Sequence, residues 1–214
     1  MKKIALMSTI DNPLLTYYIQ EISKVSKIEG IFLDSNLIKK VDKVNWRKRT
    51  SNKIIEKSIY EFSDNIPYYL FKNHSDLKMA EFVKKLKIDL LVACWSNSKL
   101  KKSILDAPRI GVLGCHPGIL PNYRGCSCTE WQLYNKDPVG NTAYIMTEEY
   151  DYGPIICKSY ISTEKLGYQD IRTAVHYDNV KCITKAVKII NKANFKLPKM
   201  GKKGKFWKIM DDKT

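Results

Sequence analysis

His116 is one of three histidines in 214 residues, and it closes a short apolar run, Gly111 to Cys115, of the kind that makes a buried strand. Beyond it the chain turns repeatedly, with Pro117, Gly118, Pro121 and Gly125 close together. A histidine at the carboxyl end of a buried strand in an open α/β sheet lies where ligands bind, and it can serve as donor, base or proton shuttle. A histidine satisfied by a backbone carbonyl would sit in the same place. Position alone leaves both readings open.

A second stretch bears on that choice. Thr142 to Met146 reads as a strand and runs into TEEYDYGPII at 147–156. Taken in order, HPGILPNYRG at 116–125 and EEYDYGPII at 148–156 resemble the folate-dependent formyltransferase family. That family's pattern is Asn-x-His-Pro-x-x-Leu-Pro-x-x-x-Gly, then Asp-x-Gly-Pro-Ile after a second strand. His116 and Asp151 fall on the matching positions, and looser similarity extends from the first strand to about residue 192.

The resemblance implies formyl transfer from 10-formyltetrahydrofolate to an amine. This acyl transfer needs a neutral amine, a donor to the developing oxyanion and a route for protons. It implies His116 as oxyanion donor or proton shuttle, and Asp151 as the carboxylate that orients and charges the imidazole. It further implies that the loops at 96–100 and 148–151 hold the cofactor's pterin ring, largely through backbone groups. Asn97, Leu100, Glu149 and Tyr150 are the cofactor-binding positions on that basis, and Arg124 is a candidate substrate contact, as are Lys208 and the pair Phe206-Trp207.

One position departs from the pattern. The family asparagine is Gly114 here, which has no side-chain amide. Another amide (Asn97 or Asn141) or backbone N–H groups could replace it, His116 could act alone, or the chain could bind folate without turning it over. The first two together are the expectation, since one lost oxyanion donor costs about 10²–10³ in rate.

The elements that must position these residues read as α/β: a Rossmann-like formyltransferase fold with a mostly parallel sheet flanked by helices. Residues 3–8 and Ile28 to Leu33 read as strands around a helix that opens at Asn12-Pro13, with proline first in the helix. Leu14, Leu15, Tyr18, Ile19, Ile22 and Val25 keep helical spacing. Residues 36–58 read as a lysine-rich helical excursion or loop, and Ile66 to Leu70 as a short strand. Ser75 is the expected cap of a helix with Leu77, Phe82, Val83 and Leu86 in its stripe. The segment ending LLVACW95 is the clearest buried strand. Gly125 to Lys136 reads as helix with Trp131 and Leu133 inward, Asn141 to Met146 and Pro154 to Ile161 as a strand pair, and Tyr168 to Asn194 as a long helix. His176 lies on that helix and reads as a structural or exposed histidine. The expected division is a catalytic domain at 1–194 and a basic tail at 195–214.

The net charge of +15 favours anionic partners, but no nucleic-acid module is recognisable, which argues against nucleic acid. No apolar run reaches the roughly 18 residues of a membrane span, and the chain reads as cytoplasmic. Cys126-x-Cys128 is too closely spaced for a usual zinc site and has no second pair, so no metal is expected. Ser8 to Asn12 has no glycine, whereas glycinamide ribonucleotide formyltransferases resemble one another in a Gly-rich phosphate loop there. Methionyl-tRNA formyltransferases resemble one another in a C-terminal barrel, for which too few residues follow 194. The expected acceptor is therefore an amino sugar, nucleotide-linked to match the positive charge. Glycinamide ribonucleotide formyltransfer, formyltetrahydrofolate hydrolysis and a non-catalytic basic folate- or nucleic-acid-binding relative are the alternatives. Homodimerisation stays open.

Overall fold

The computed structural model describes residues 2–54 and 65–211. Ile4–Thr9 (β1), Ile28–Asp34 (β2), Tyr68–Phe71 (β3), Leu90–Ala93 (β4), Gly111–His116 (β5), Gly140–Ile145 (β7) and Ile155–Tyr160 (β8) form one sheet in the order β3-β2-β1-β4-β5-β7-β8. The first five strands are parallel, and β7 and β8 are antiparallel additions at the β5 edge. The order reverses at β1, which places the switch point between β1 and β4. In such sheets ligands bind outside the carboxyl ends of the strands at this point. The chain segments leaving β1, β4 and β5 all meet there.

Side chains alternate across the sheet and feed two cores. Ile4 and Leu6 face one side, against Leu15–Ser23 (α1) and the long helix Tyr168–Ile190 (α6). Ala5 and Met7 face the other, against Leu77–Lys85 (α3) and Lys102–Leu105 (α4). Lys40–Thr50 (α2) lies over α6 and buries Trp46. Among the described residues no helix is long and apolar enough to cross a membrane.

Several local expectations shift. α1 begins at Leu15, because the Asn12 side-chain carbonyl accepts the Leu14 N–H (3.0 Å) and folds Pro13 into a turn before the helix. Asp76, not Ser75, caps α3 by accepting the Lys78 N–H at 3.0 Å, while Ser75 Oγ accepts from the Lys101 N–H. Leu77 is exposed, and the buried stripe of α3 is Met79, Ala80 and Val83. In Cys128–Tyr134 (α5) the buried residues are Cys128, Thr129 and Gln132, with Trp131 half-buried against Trp207. α6 stops at Ile190, four residues early. Of the excursion at 36–58, α2 is helical, and residues 55–58 lie outside the described residues, as do 212–214 of the tail.

The described tail returns to the histidine loop. Phe206–Trp207 (β9) pairs in parallel with Arg124–Gly125 (β6). The Trp207 ring stacks on Tyr123 at 5.4 Å, and its Nε1–H donates to the Asn122 carbonyl. Gly125 has φ +96°, and a Cβ there would lie 2.3 Å from the Trp207 carbonyl oxygen. Only glycine fits that crossing.

Candidate active site

β5 delivers His116 to the switch point, and the turn between β7 and β8 delivers Asp151 opposite it. His116 Nδ1 lies 3.1 Å from Asp151 Oδ1, and Nε2 lies 2.8 Å from the Tyr123 carbonyl. Both neighbours accept hydrogen bonds, so both contacts form together only when the ring carries two protons. Asp151 Oδ2 accepts the Gly125 N–H at 2.8 Å, and the Tyr144 hydroxyl lies 3.4 Å from Oδ1. Burial works to raise the Asp151 pKa, but the hydrogen bond and charge of His116, with the donors Gly125 and Tyr144, outweigh it and hold the carboxyl low. Burial and the Asp151 charge push the Tyr144 hydroxyl up, so it remains a donor. Asp151 has φ +50°, a left-handed conformation that aspartate tolerates better than most residues.

The Asp151 turn is held from below by Arg124. This side chain is 4% exposed, and it donates to the carbonyls of Asp151 (3.0 Å) and Tyr150 (2.8 Å) and to Glu149 Oε1 (2.9 Å). Arg124, expected as a substrate contact, is thus a tether of the loop that carries the carboxylate.

His116 and Asp151 line a cleft of about 380 Å³ with Asn12, Trp95, Tyr144 and Met146. A neighbouring cleft of about 310 Å³ shares Tyr144 and Met146 and is bordered by the loops at 96–100 and 147–150. All four positions expected at the cofactor, Asn97, Leu100, Glu149 and Tyr150, line it. Their side chains are unequally available. Asn97 donates to the Asn36 and Leu37 carbonyls and accepts from Trp95 Nε1–H, so both its ends are occupied. Glu149 is bound by Lys203 and Arg124, with Lys203 the larger influence in lowering its pKa. Leu100 and Met146 are apolar walls, and Tyr150 stands 56% exposed beneath Lys99 Nζ. Apolar walls between two loops, with few free charged groups, suit a flat heterocycle recognised through peptide groups.

At Gly114 the space for a side chain is filled. A Cβ there would lie 2.8 Å from Met146 Cγ and Sδ. Neither expected substitute amide reaches the cleft: Asn97 is tied as described, and Asn141 is fully buried, donating to the Val175 carbonyl and Asp178. The amides that do line the His116 cleft are Asn12 and Asn179. The Asn179 side chain accepts the Tyr18 hydroxyl at 2.8 Å, while its NH₂ makes 3.3 Å contacts to the Cys115 carbonyl and Asn141 Oδ1.

A family model described as formyl transferase matches residues 18–187. The chain belongs to the formyl transferase family. That family moves one-carbon formyl groups, with 10-formyltetrahydrofolate as donor. Among curated relatives, a bifunctional polymyxin resistance protein ArnA from Wigglesworthia glossinidia brevipalpis is 34% identical over 54% of this chain and 18% of its own length. A methionyl-tRNA formyltransferase from Fusobacterium nucleatum is 29% identical over 84% of this chain and 59% of its own. The chain thus spans less than two thirds of either. A solved sugar N-formyltransferase from Shewanella superposes with TM-score 0.65 at 19% identity, covering 97% of this chain and 77% of that one. A phosphoribosylglycinamide formyltransferase from Streptococcus pneumoniae gives TM-score 0.65 at 16% identity, covering 90% and 100%. These structures establish the expected Rossmann-like formyltransferase fold.

Sequence reading missed Tyr144, Met146, Asn179 and His176 at the clefts of this formyl transferase. His176 was the one with a usable signal. It lies one helical turn from Arg172 on α6, so the two share a face.

Proposed function

We propose that this chain is an N-formyltransferase that moves the formyl group of 10-formyltetrahydrofolate to the amine of a nucleotide-linked amino sugar. The observation that carries the reading is the 3.1 Å pairing of His116 with Asp151 where two clefts meet. The loops at 96–100 and 147–150 would hold the pterin, with Leu100 and Met146 against its faces. The bound folate supplies an activated one-carbon group. His116 stabilises charge developing on the formyl oxygen, offering the Nε2 proton that the Tyr123 carbonyl holds in the free protein. Asp151 keeps the ring oriented and charged, and relays protons released by the attacking amine. Arg124 and Gly125 position Asp151 from behind.

The β1–α1 turn speaks against a glycinamide ribonucleotide acceptor held by a phosphate loop. Three of its N–H groups are already bonded internally: Asn12 to the Thr9 carbonyl, Leu14 to Asn12 Oδ1, and Leu15 to the Asn12 carbonyl. Those three are not available to cradle a phosphate.

Calorimetric titration with a stable 10-formyltetrahydrofolate mimic, followed by a panel of amino-sugar nucleotides, tests the reading. Saturable binding with turnover of a sugar nucleotide is expected. Turnover of glycinamide ribonucleotide, or formate release without any acceptor, would replace it with one of the alternatives. Folded protein that ignores the mimic would leave only the fold in common with the family.

A further inference from the structure

Beside the His116 cleft, and sharing Trp95 and His176 with it, lies another opening of about 430 Å³. α2 supplies Asp42, Trp46 and Arg49 to its wall, and α6 supplies Arg172 and His176. On each helix these residues are spaced to share one face. The result is a gathering of positive charge and aromatic surface that the catalytic pair does not use.

Its groups are poorly satisfied within the chain. Arg172 is only 7% exposed, yet its Nε has no hydrogen-bond partner among the described residues. The carboxylate facing it, Glu130, lies 3.7 Å away and already accepts the Tyr168 hydroxyl at 2.7 Å. Arg49 makes no hydrogen bond or ion pair among the described residues, and it adds its charge to that of Arg172. Asp170, the acid in the first turn of α6, is paired with Lys53, and Asp42 sits exposed at the rim. The His176 imidazole is pushed down to about 3, by burial first and then by Arg172 and Arg49, so it is neutral. Its Nε2 is also without a hydrogen-bond partner among the described residues. A buried guanidinium whose Nε is unbonded, and whose one carboxylate partner stands at 3.7 Å, is costly to maintain, and a second one beside it adds repulsion.

A phosphate would satisfy this arrangement. Guanidinium groups match phosphate oxygens with paired, charge-assisted hydrogen bonds. The Trp95 and Trp46 rings form an aromatic wall on which an attached planar base can rest. We infer that this opening binds the phosphate groups of the acceptor, a nucleoside-diphosphate-linked molecule, with Arg49 and Arg172 as the phosphate ligands. The shared wall of Trp95 and His176 then lets the far end of the same molecule reach His116. The inference rests on the proposed formyl transfer only for what the bound molecule is used for.

Binding can be read without turnover, from the fluorescence of Trp46 and Trp95 and from calorimetry. The probes are uridine diphosphate, inorganic pyrophosphate and ribose 5-phosphate. Uridine diphosphate should bind saturably and more tightly than either of the others. Arg49→Gln, a half-exposed site that folding tolerates, should weaken it by at least about tenfold, the worth of one charge-assisted contact. Asp42→Asn should tighten it by about two- to threefold, as removal of an exposed like charge would. Affinity for the folate mimic should be unchanged in both variants. Equal uridine diphosphate affinity in wild type, Arg49→Gln and Arg172→Lys would overturn the assignment, as would failure of all three probes to bind. Tighter binding of ribose 5-phosphate than of uridine diphosphate would overturn the nucleotide. Loss of folate binding alone would sink the formyl-transfer reading and leave this site standing.

Discussion

Two histidines in this protein stand beside an aspartate at the carboxyl edge of the sheet, with a backbone carbonyl on the ring's other side. His116 has Asp151 at 3.1 Å and the Tyr123 carbonyl at 2.8 Å. His74 has Asp34 at 3.5 Å and the Ser8 carbonyl at 3.0 Å. The resemblance ends with the carboxylates. Asp34 accepts N–H groups from Asn36 and His74 themselves, so it is satisfied as a turn-former and does not depend on the ring. Asp151 has the His116 ring as its strongest partner and opens onto a cleft. Burial lowers the His74 pKa against the pull of the Ser8 carbonyl and Asp34, and its side chain is wholly sealed. A histidine–aspartate pair is therefore a candidate reactive site where, as at His116, the carboxylate leans on the ring and the pair meets open space. His74 is a bolt between β1 and the segment before α3.

Exchange of the two roles would break this comparison. His116→Ala and Asp151→Asn should each lower formyl-transfer turnover by about 10²–10⁴, the range expected for a lost proton-transfer group, far beyond what any loss of stability would explain. His74→Ala should do the opposite, costing about 1–3 kcal/mol in urea unfolding for an unsatisfied carbonyl and a cavity, while the folded fraction keeps its turnover. Gly114→Asn should cost a similar 1–3 kcal/mol by overpacking against Met146, and adding Met146→Ala should recover most of it. Additive losses in that double variant would show that Met146 does not fill the missing side chain's place.

The smallest effect separates the two regions by pH. The folded pKa of His74 is lowered, and that of His176 falls to about 3, so below the ordinary histidine value of about 6.5 the unfolded chain binds protons that the folded chain refuses. Stability should therefore decline as pH falls from about 6.5, and His74→Gln should flatten that first decline. The folded pKa of Asp151 is depressed, so its contribution is intact above the unfolded value of about 3.9 and is lost as pH falls below it. Asp151→Asn should change only this second, more acid limb. Melting curves between pH 3 and 8 would resolve the two.

Much of this was legible because strong local patterns recorded it. β4 is a continuous apolar run, the β7–β8 pair flanks a Gly-Pro turn, and α6 keeps its helical stripe for six turns, so each was readable from spacing. The two ordered motifs likewise singled out His116 and Asp151, which the fold brings within 3.1 Å. Fine boundaries were lost where a side chain competes for backbone, as when Asn12 folds its own turn and pushes α1 back. The inward grip of Arg124 was not legible because a basic residue in a loop gives no sign of facing inward, and only the fold shows it holding three acceptors of the Asp151 turn. Met146 at Gly114, and α2 laid across α6, are long-range contacts with no local pattern to announce them.

The pairing of β9 with β6 also has a consequence in time. Arg124 and Gly125 grip the Asp151 turn, but their own partners, Phe206 and Trp207, lie some eighty residues later in the chain. As the protein emerges from a ribosome, the sheet and both clefts can assemble while the histidine loop still lacks its outer strand. The clasp can close only after residue 207 is free to pair, so a nascent chain halted just before residue 206 would hold the histidine loop without its outer strand.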